Sequence, residues 1–113
     1  MTRILAAVGT VAAGLALAAG APAATHAGTL TATDGPGFTI TMSKKSVRAG
    51  SYTITVKDKS NIHNFHLIGP GVNTKTSVGA VKTYTWKLKL KKGTYKFVCD
   101  PHATIMKGTL KVT

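Results

Sequence analysis

Glutamate does not occur in this chain, and the acid count stops at three aspartates, Asp34, Asp58 and Asp100. Glycoside hydrolysis needs two carboxyl groups set across one bond, so chemistry of that kind is not expected here. Cysteine occurs once, at Cys99, and one thiol cannot form an internal disulfide. No G-x-S-x-G turn is present to carry a hydrolase nucleophile. There is no internal repeat of solenoid or propeller length. RNA-recognition, OB and zinc-knuckle signatures are also missing. The scarcity of acids leaves the cations unopposed. Fifteen Lys and Arg against those acids give a formal net charge of +12, which favours anionic partners: an acidic protein, a phosphate-rich cell wall or nucleic acid.

What is present begins with an export signal. Met1-Thr2-Arg3 is a short positive start, and residues 4–19 are an uncharged run rich in Ala, Leu, Val and Gly. Ala21-Pro22-Ala23 reads as a small-residue cleavage site, with Thr25-His26-Ala27 as a second. Residues 1–27 are therefore expected to be a signal peptide cut after Ala23 or Ala27. The remainder, 28–113, is expected to be one soluble, secreted or extracytoplasmic domain with no membrane segment. Losing Arg3 with the leader takes the net charge from +12 to +11. About 90 residues suffice for a single core. A lone thiol in an oxidising compartment is a liability unless something occupies it, and a bound metal would also stabilise the fold.

After the leader the pattern is β throughout. Candidate strands fall at 29–33, 38–43, 51–58, 64–69, 82–90, 94–99 and 107–113, rich in Thr, Val and aromatics. Between them lie turn signals such as Asp34-Gly35-Pro36-Gly37, Gly69-Pro70-Gly71 and Lys92-Gly93. The clearest alternation puts Tyr84, Trp86, Leu88 and Leu90 on one face and Thr85, Lys87, Lys89 and Lys91 on the other. Tyr95, Phe97 and Cys99 likewise share a face, so Cys99 ends a core-facing row. Several short strands with frequent turns predict an all-β sandwich.

The densest chemistry lies in Cys99-Asp100-Pro101-His102-Ala103-Thr104-Ile105-Met106, which holds a thiolate, an imidazole and a thioether. Soft sulfur beside histidine selects copper over calcium or magnesium, and Cys with two His and a weak Met is the donor set of a blue-copper site. The second histidine is available in Ile62-His63-Asn64-Phe65-His66, as His63 or as His66. One Cys, two His and a Met fit neither a structural nor a catalytic zinc site well.

These segments resemble the cupredoxins, the family of plastocyanin and azurin. The matching pieces are His63-Asn64, Tyr95-x-Phe97-x-Cys99, Cys99-x-Pro101-His102, Met106 and the closing Gly108-Thr109-Leu110-Lys111-Val112. The resemblance implies a Greek-key β-sandwich holding one type 1 copper ion. It implies His63, Cys99, His102 and Met106 as ligands, with His66 left as a surface or neighbouring residue. It further implies that Asn64 ties the two ligand loops together, here to a loop carrying Asp100. The implied function is one-electron transfer through Cu(I)/Cu(II) and not enzymatic catalysis, since four histidines are too few for a multicopper oxidase. His102 would be the electron exit, rimmed by Pro101, Ala103 and Ile105. The expected partner is a redox protein, acidic at its docking face, with a possible anionic cell-wall contact and no specific nucleic acid. The alternatives are extracytoplasmic copper storage or delivery, or a basic sandwich that binds cell wall.

Overall fold

The computed structural model describes residues 26–113, so the expected signal peptide lies, up to residue 25, outside the described residues. Nine strands follow in order: β1 (His26–Asp34), β2 (Ile40–Met42), β3 (Ser46–Val47), β4 (Gly50–Asp58), β5 (His66–Gly69), β6 (Val72–Lys75), β7 (Lys82–Leu90), β8 (Gly93–Val98) and β9 (Lys107–Val112). A single 3-10 turn, Asp100–His102, is the only helical element among the described residues. Two sheets form, ordered β2-β1-β4-β7 and β3-β9-β8-β5-β6. The all-β Greek-key sandwich expected from the sequence is the observed architecture.

Period-two burial explains how the layers close. In β4 Tyr52, Ile54 and Val56 are buried while Ser51 and Lys57 are exposed. Leu30 and Ala32 of β1 join them, and the facing sheet supplies Leu67, Tyr95, Phe97, Leu110 and Val112. β7 sits at a sheet edge, so its apolar row of Tyr84, Trp86 and Leu88 is only half-buried and only Leu90 is fully covered. The lysines of its other face discourage pairing with a further strand. Two aromatic rings are accommodated by glycines. A Cβ at Gly69 would collide with the Tyr95 ring, and one at Gly108 with the Phe97 ring, its cross-strand partner. The Tyr95 hydroxyl donates to the Pro70 carbonyl (2.9 Å) and accepts from the Lys91 amide (2.8 Å), joining two turns at one end of the molecule.

Differences from the expected strands have local causes. β1 runs from His26 to Asp34 because each of its residues pairs in parallel with β4, His26 with Gly50 and Asp34 with Asp58. Phe38 was expected inside a strand at 38–43, but pairing begins only at Ile40. β3 and β6 were not expected at all.

The far end of β1 and β4 holds a buried acid pair. Asp34 is fully buried, and Asp58 is nearly so. Asp58 accepts from the Ser60 amide (3.2 Å) and faces the Thr76 hydroxyl (3.4 Å), whereas no backbone or side-chain donor reaches either Asp34 oxygen. Burial, with the hydrogen bond to Asp58 and the repulsion of its charge, pushes Asp34 up to about 8. The pair therefore keeps one proton at neutral pH.

A group whose folded pKa exceeds its unfolded value contributes stability that is complete below the unfolded value, near 4, and is lost as pH rises through about 8. Asp34→Asn should remove that slope, because a neutral amide replaces the protonated carboxyl and can still donate to Asp58. At pH 9 the variant should exceed the parent by a few kcal/mol, at about 1.4 kcal/mol per unit of displacement. Denaturation midpoints of the metal-free protein at pH 5 and pH 9 measure this; an unchanged slope in the variant would assign the pH dependence to other groups.

Candidate metal centre

Two loops meet at the end of the sandwich beyond Asp58 and Val98. The loop from β4 to β5 carries His63 and Asn64, and the loop from β8 to β9 carries Cys99 through Met106. Pairing of His66 with Val98 sets the two loops side by side. Phe65 anchors the first. Its ring is fully buried and stacks on Phe97 with centroids 5.5 Å apart. Its amide donates to the Thr76 hydroxyl (2.9 Å), and its carbonyl accepts from the Thr76 amide (3.0 Å).

The second loop is a closed hydrogen-bonded turn. The His102 amide donates to the Cys99 carbonyl (3.0 Å), the Met106 amide to the His102 carbonyl (2.9 Å), and the Cys99 amide to the Met106 carbonyl (3.0 Å). Pro101, near the start of the 3-10 turn, restricts the backbone between Cys99 and His102. The chain is thus folded back so that Cys99 and His102 point to one place.

His63 Nδ1, Cys99 Sγ and His102 Nδ1 form a small triangle. Its sides are 3.7 Å (Sγ to His63), 3.5 Å (Sγ to His102) and 3.1 Å (between the imidazole nitrogens). A point about 2.0 Å from all three atoms closes that triangle, close to the 2.0–2.3 Å over which His nitrogen and Cys sulfur bind a borderline-soft divalent ion. Cys99 is a free, fully buried thiol. His63 is also fully buried, with Nε2 facing no protein partner, while His102 alone of the three reaches solvent. The donor set and the spacing fit one type 1 copper ion held by His63, Cys99 and His102. Met106 is fully buried at the end of the same loop.

The clamp implied by the sequence is present. Asn64 Nδ2 donates to Asp100 Oδ2 (2.9 Å) and to the Thr76 carbonyl (3.3 Å), and the Asp100 amide donates to Asn64 Oδ1 (2.8 Å). The Asn64 amide lies 3.5 Å from Cys99 Sγ, within reach of a weak N–H···S bond. His66 stands outside the triangle. Its Nδ1 lies 2.8 Å from Asp100 Oδ1 and its Nε2 2.7 Å from Asn73 Oδ1. Partial burial acts to raise Asp100, but hydrogen bonds from His66 and Asn64 and the charges of His66 and Lys75 hold it below the usual carboxylate range.

One residue of the site carried no sequence signal as such. Phe38 packs edge-on against both His63 and His102, with centroids at 5.2 and 5.0 Å, yet remains 55% exposed. A large apolar residue just after the Gly35-Pro36-Gly37 turn was the available hint. Thr76 and the Asp34–Asp58 pair are the other supports that the sequence left unmarked.

Solved structures with this architecture include reduced rusticyanin, at 21% identity and a TM-score of 0.59, covering 75% of this chain and 78% of that one. A methionine-to-leucine variant of rusticyanin gives a TM-score of 0.59 at 20% identity, covering 75% of this chain and 76% of that one. At these identities the likeness is one of fold. Among curated proteins no relative matches. A family model described as copper binding proteins, plastocyanin/azurin family, matches residues 26–113, and the chain belongs to that family.

Proposed function

We propose that this protein is a secreted one-electron carrier and not an enzyme, with Met106 as a weak axial fourth ligand. The observation that carries the reading is the asymmetry of the ligands: two are sealed in the core, and the third, His102, opens to solvent beside exposed apolar residues. Phe38, packed against the His102 ring, and Ile105, on the same loop, are 55 and 63% exposed; Pro101 is exposed as well, and Ile62, next to His63, is 48% exposed. A bound copper ion supplies the Cu(I)/Cu(II) couple. The chain holds His63 and His102 in place through Phe65, the Asn64–Asp100 clamp and the closed 99–106 turn, so little ligand movement accompanies a change of charge. An apolar rim permits contact without buried charge pairs, and a small contact can release quickly. The thiolate and the thioether fit copper, and Met106, on the loop that bears Cys99 and His102, has the place of the axial donor in the family.

Export is supported by the leader-like first residues, and no helix among the described residues is long and apolar enough to cross a membrane. A basic chain of this size should steer toward a redox partner that is acidic at its docking face.

Loading with Cu(II) should produce an intense visible thiolate-to-copper band. Cys99→Ser should abolish it and His63→Ala should abolish or grossly alter it, whereas His66→Ala should leave it largely intact. Visible absorption of the three variants is the measurement. Cyclic voltammetry of the loaded protein tests the carrier reading itself: reversible one-electron waves are expected, and copper loss on reduction would instead favour storage or delivery.

Met106→Leu should keep the colour and raise the reduction potential, because loss of an axial donor disfavours Cu(II). A potential unmoved by this change would make Met106 a packing residue.

Electron transfer with an acidic partner protein should slow about tenfold or more between low and physiological ionic strength, as screening over about 8 Å removes the steering field. Stopped-flow rates across a salt series give the slope, and a flat series would remove electrostatic steering from the account.

A further inference from the structure

All three acids of the chain lie at the copper end: Asp34 and Asp58 close β1 and β4, and Asp100 sits in the ligand loop. The other end of the sandwich carries cations with no acid among them. Its outer face on the four-stranded sheet is laid out by register. One row across β1, β4 and β7 reads Ala27, Ser51, Lys89, and the next reads Thr29, Thr53, Lys87. Five of these six are exposed and Thr53 is half-buried. All but Thr29 line a shallow groove of about 440 Å³, kept open on the β1 side by the small Ala27.

The chemistry of the face limits what can lie on it. Lys87 and Lys89 leave the same face of an edge strand from backbone positions about 7 Å apart, each carrying an ammonium group. Ser51 and Thr53 add hydroxyls that both donate and accept. No exposed large apolar residue lies on β1, β4 or β7. The face therefore lacks an aromatic platform for stacking bases, a wedge for entering a membrane and a hydrophobic anchor for a protein partner. What remains is an anionic, hydroxyl-rich, flexible chain.

We infer that this end of the four-stranded sheet is a docking face for a phosphodiester-linked polyol polymer of the anionic cell-wall type, its phosphates on Lys87 and Lys89 and its hydroxyls on Ser51 and Thr53. Lys87 pairs with Thr53, five residues short of Asp58 on β4. At about 3.3 Å per residue the groove lies roughly 17 Å from the copper end, so a tethered molecule keeps His102 free. The inference does not depend on the redox reading, because the groove contains none of the ligand residues.

The test is binding of the copper-loaded chain beginning at Ala24, which retains all of β1, and of its apoprotein, to purified poly(glycerol phosphate) by calorimetry over a NaCl series. Lys87→Gln/Lys89→Gln should weaken binding at least tenfold and flatten the salt slope. Lys96→Gln/Lys111→Gln, an equal loss of charge on the five-stranded sheet, should cost less than threefold. Thr53→Val should weaken binding two- to fivefold with the salt slope unchanged. Circular dichroism of each variant establishes folding. Equal losses from the two double variants would reduce the effect to net charge and overturn the assignment. So would tighter binding of oligo-dT or anionic lipid vesicles than of poly(glycerol phosphate), or no binding of the polymer at all.

Discussion

The metal triangle exists because Asn64 holds its loop to Asp100, 36 residues further along the chain. The two loops share no local structure, so nothing in either one alone fixes the spacing of His63 from Cys99. The Asn64 side chain does so by using both ends of its amide on Asp100, accepting from the backbone and donating to the carboxylate. Two opposed bonds to one residue allow neither sliding nor rotation. Metal sites tolerate departures of only about 0.2 Å in ligand distance, and the third bond, to the Thr76 carbonyl, spends the last amide hydrogen. Asp100 adds a charge as well as a tether. A carboxylate beside the thiolate loop favours the higher oxidation state of an ion held there, and the His66 imidazole held between Asp100 and Asn73 tempers that field without entering the site.

The clamp in turn depends on what lies beneath it. Thr76 takes the Phe65 amide on its hydroxyl and faces Asp58, which is paired with Asp34. The path from the ligand loop to the end of β4 is thus made of hydrogen bonds within a few residues of one another. A buried acid pair is an expensive way to end two strands, since both carboxylates cannot ionise in so little water. Keeping a proton on Asp34 makes the arrangement tolerable. It also leaves Asp58 able to accept from Ser60 and Thr76 and so order the start of the His63 loop.

How much of this was legible in the sequence depended on the range of the interaction. β7 was read at 82–90, its observed bounds, because its alternation is clean from Tyr84 to Leu90. Cys99, His102 and Met106 stood out because soft ligands are rare and these are packed into one turn. The choice of His63 over His66 came from the His63-Asn64 pair through the family resemblance; the residues alone left it open, and the structure groups His63 with Cys99 and His102 while giving His66 to Asp100. β3 and β6 were missed because two residues show no period and Val72–Lys75 follows a turn signal directly. Phe38 read as the start of a strand, since its contacts with two histidine rings lie 25 and more residues away. Asp34 read as a turn residue, as aspartate before Gly-Pro usually is; only the parallel pairing of β1 with β4 puts it in the core against Asp58.

The same placement of acids organises the molecule's charge. With so few carboxyl groups, each one used at the copper end is one fewer to offset lysine elsewhere, so the field of the whole protein remains strongly positive while exposed apolar side chains stand beside His102. Range and contact are thereby separated. Attraction at a distance sums over every lysine, but the surface that would touch a redox partner around His102 carries the apolar side chains of Phe38, Pro101 and Ile105. For the carrier proposed above this division would matter, because arrival is set by the field and release by the contact. Lysines placed in the rim would speed arrival and slow release together. Lysines on a sheet face far from His102, as Lys87 and Lys89 are, would raise the first without penalising the second, and under the inference above they would engage a stationary anion while the copper end met a mobile partner.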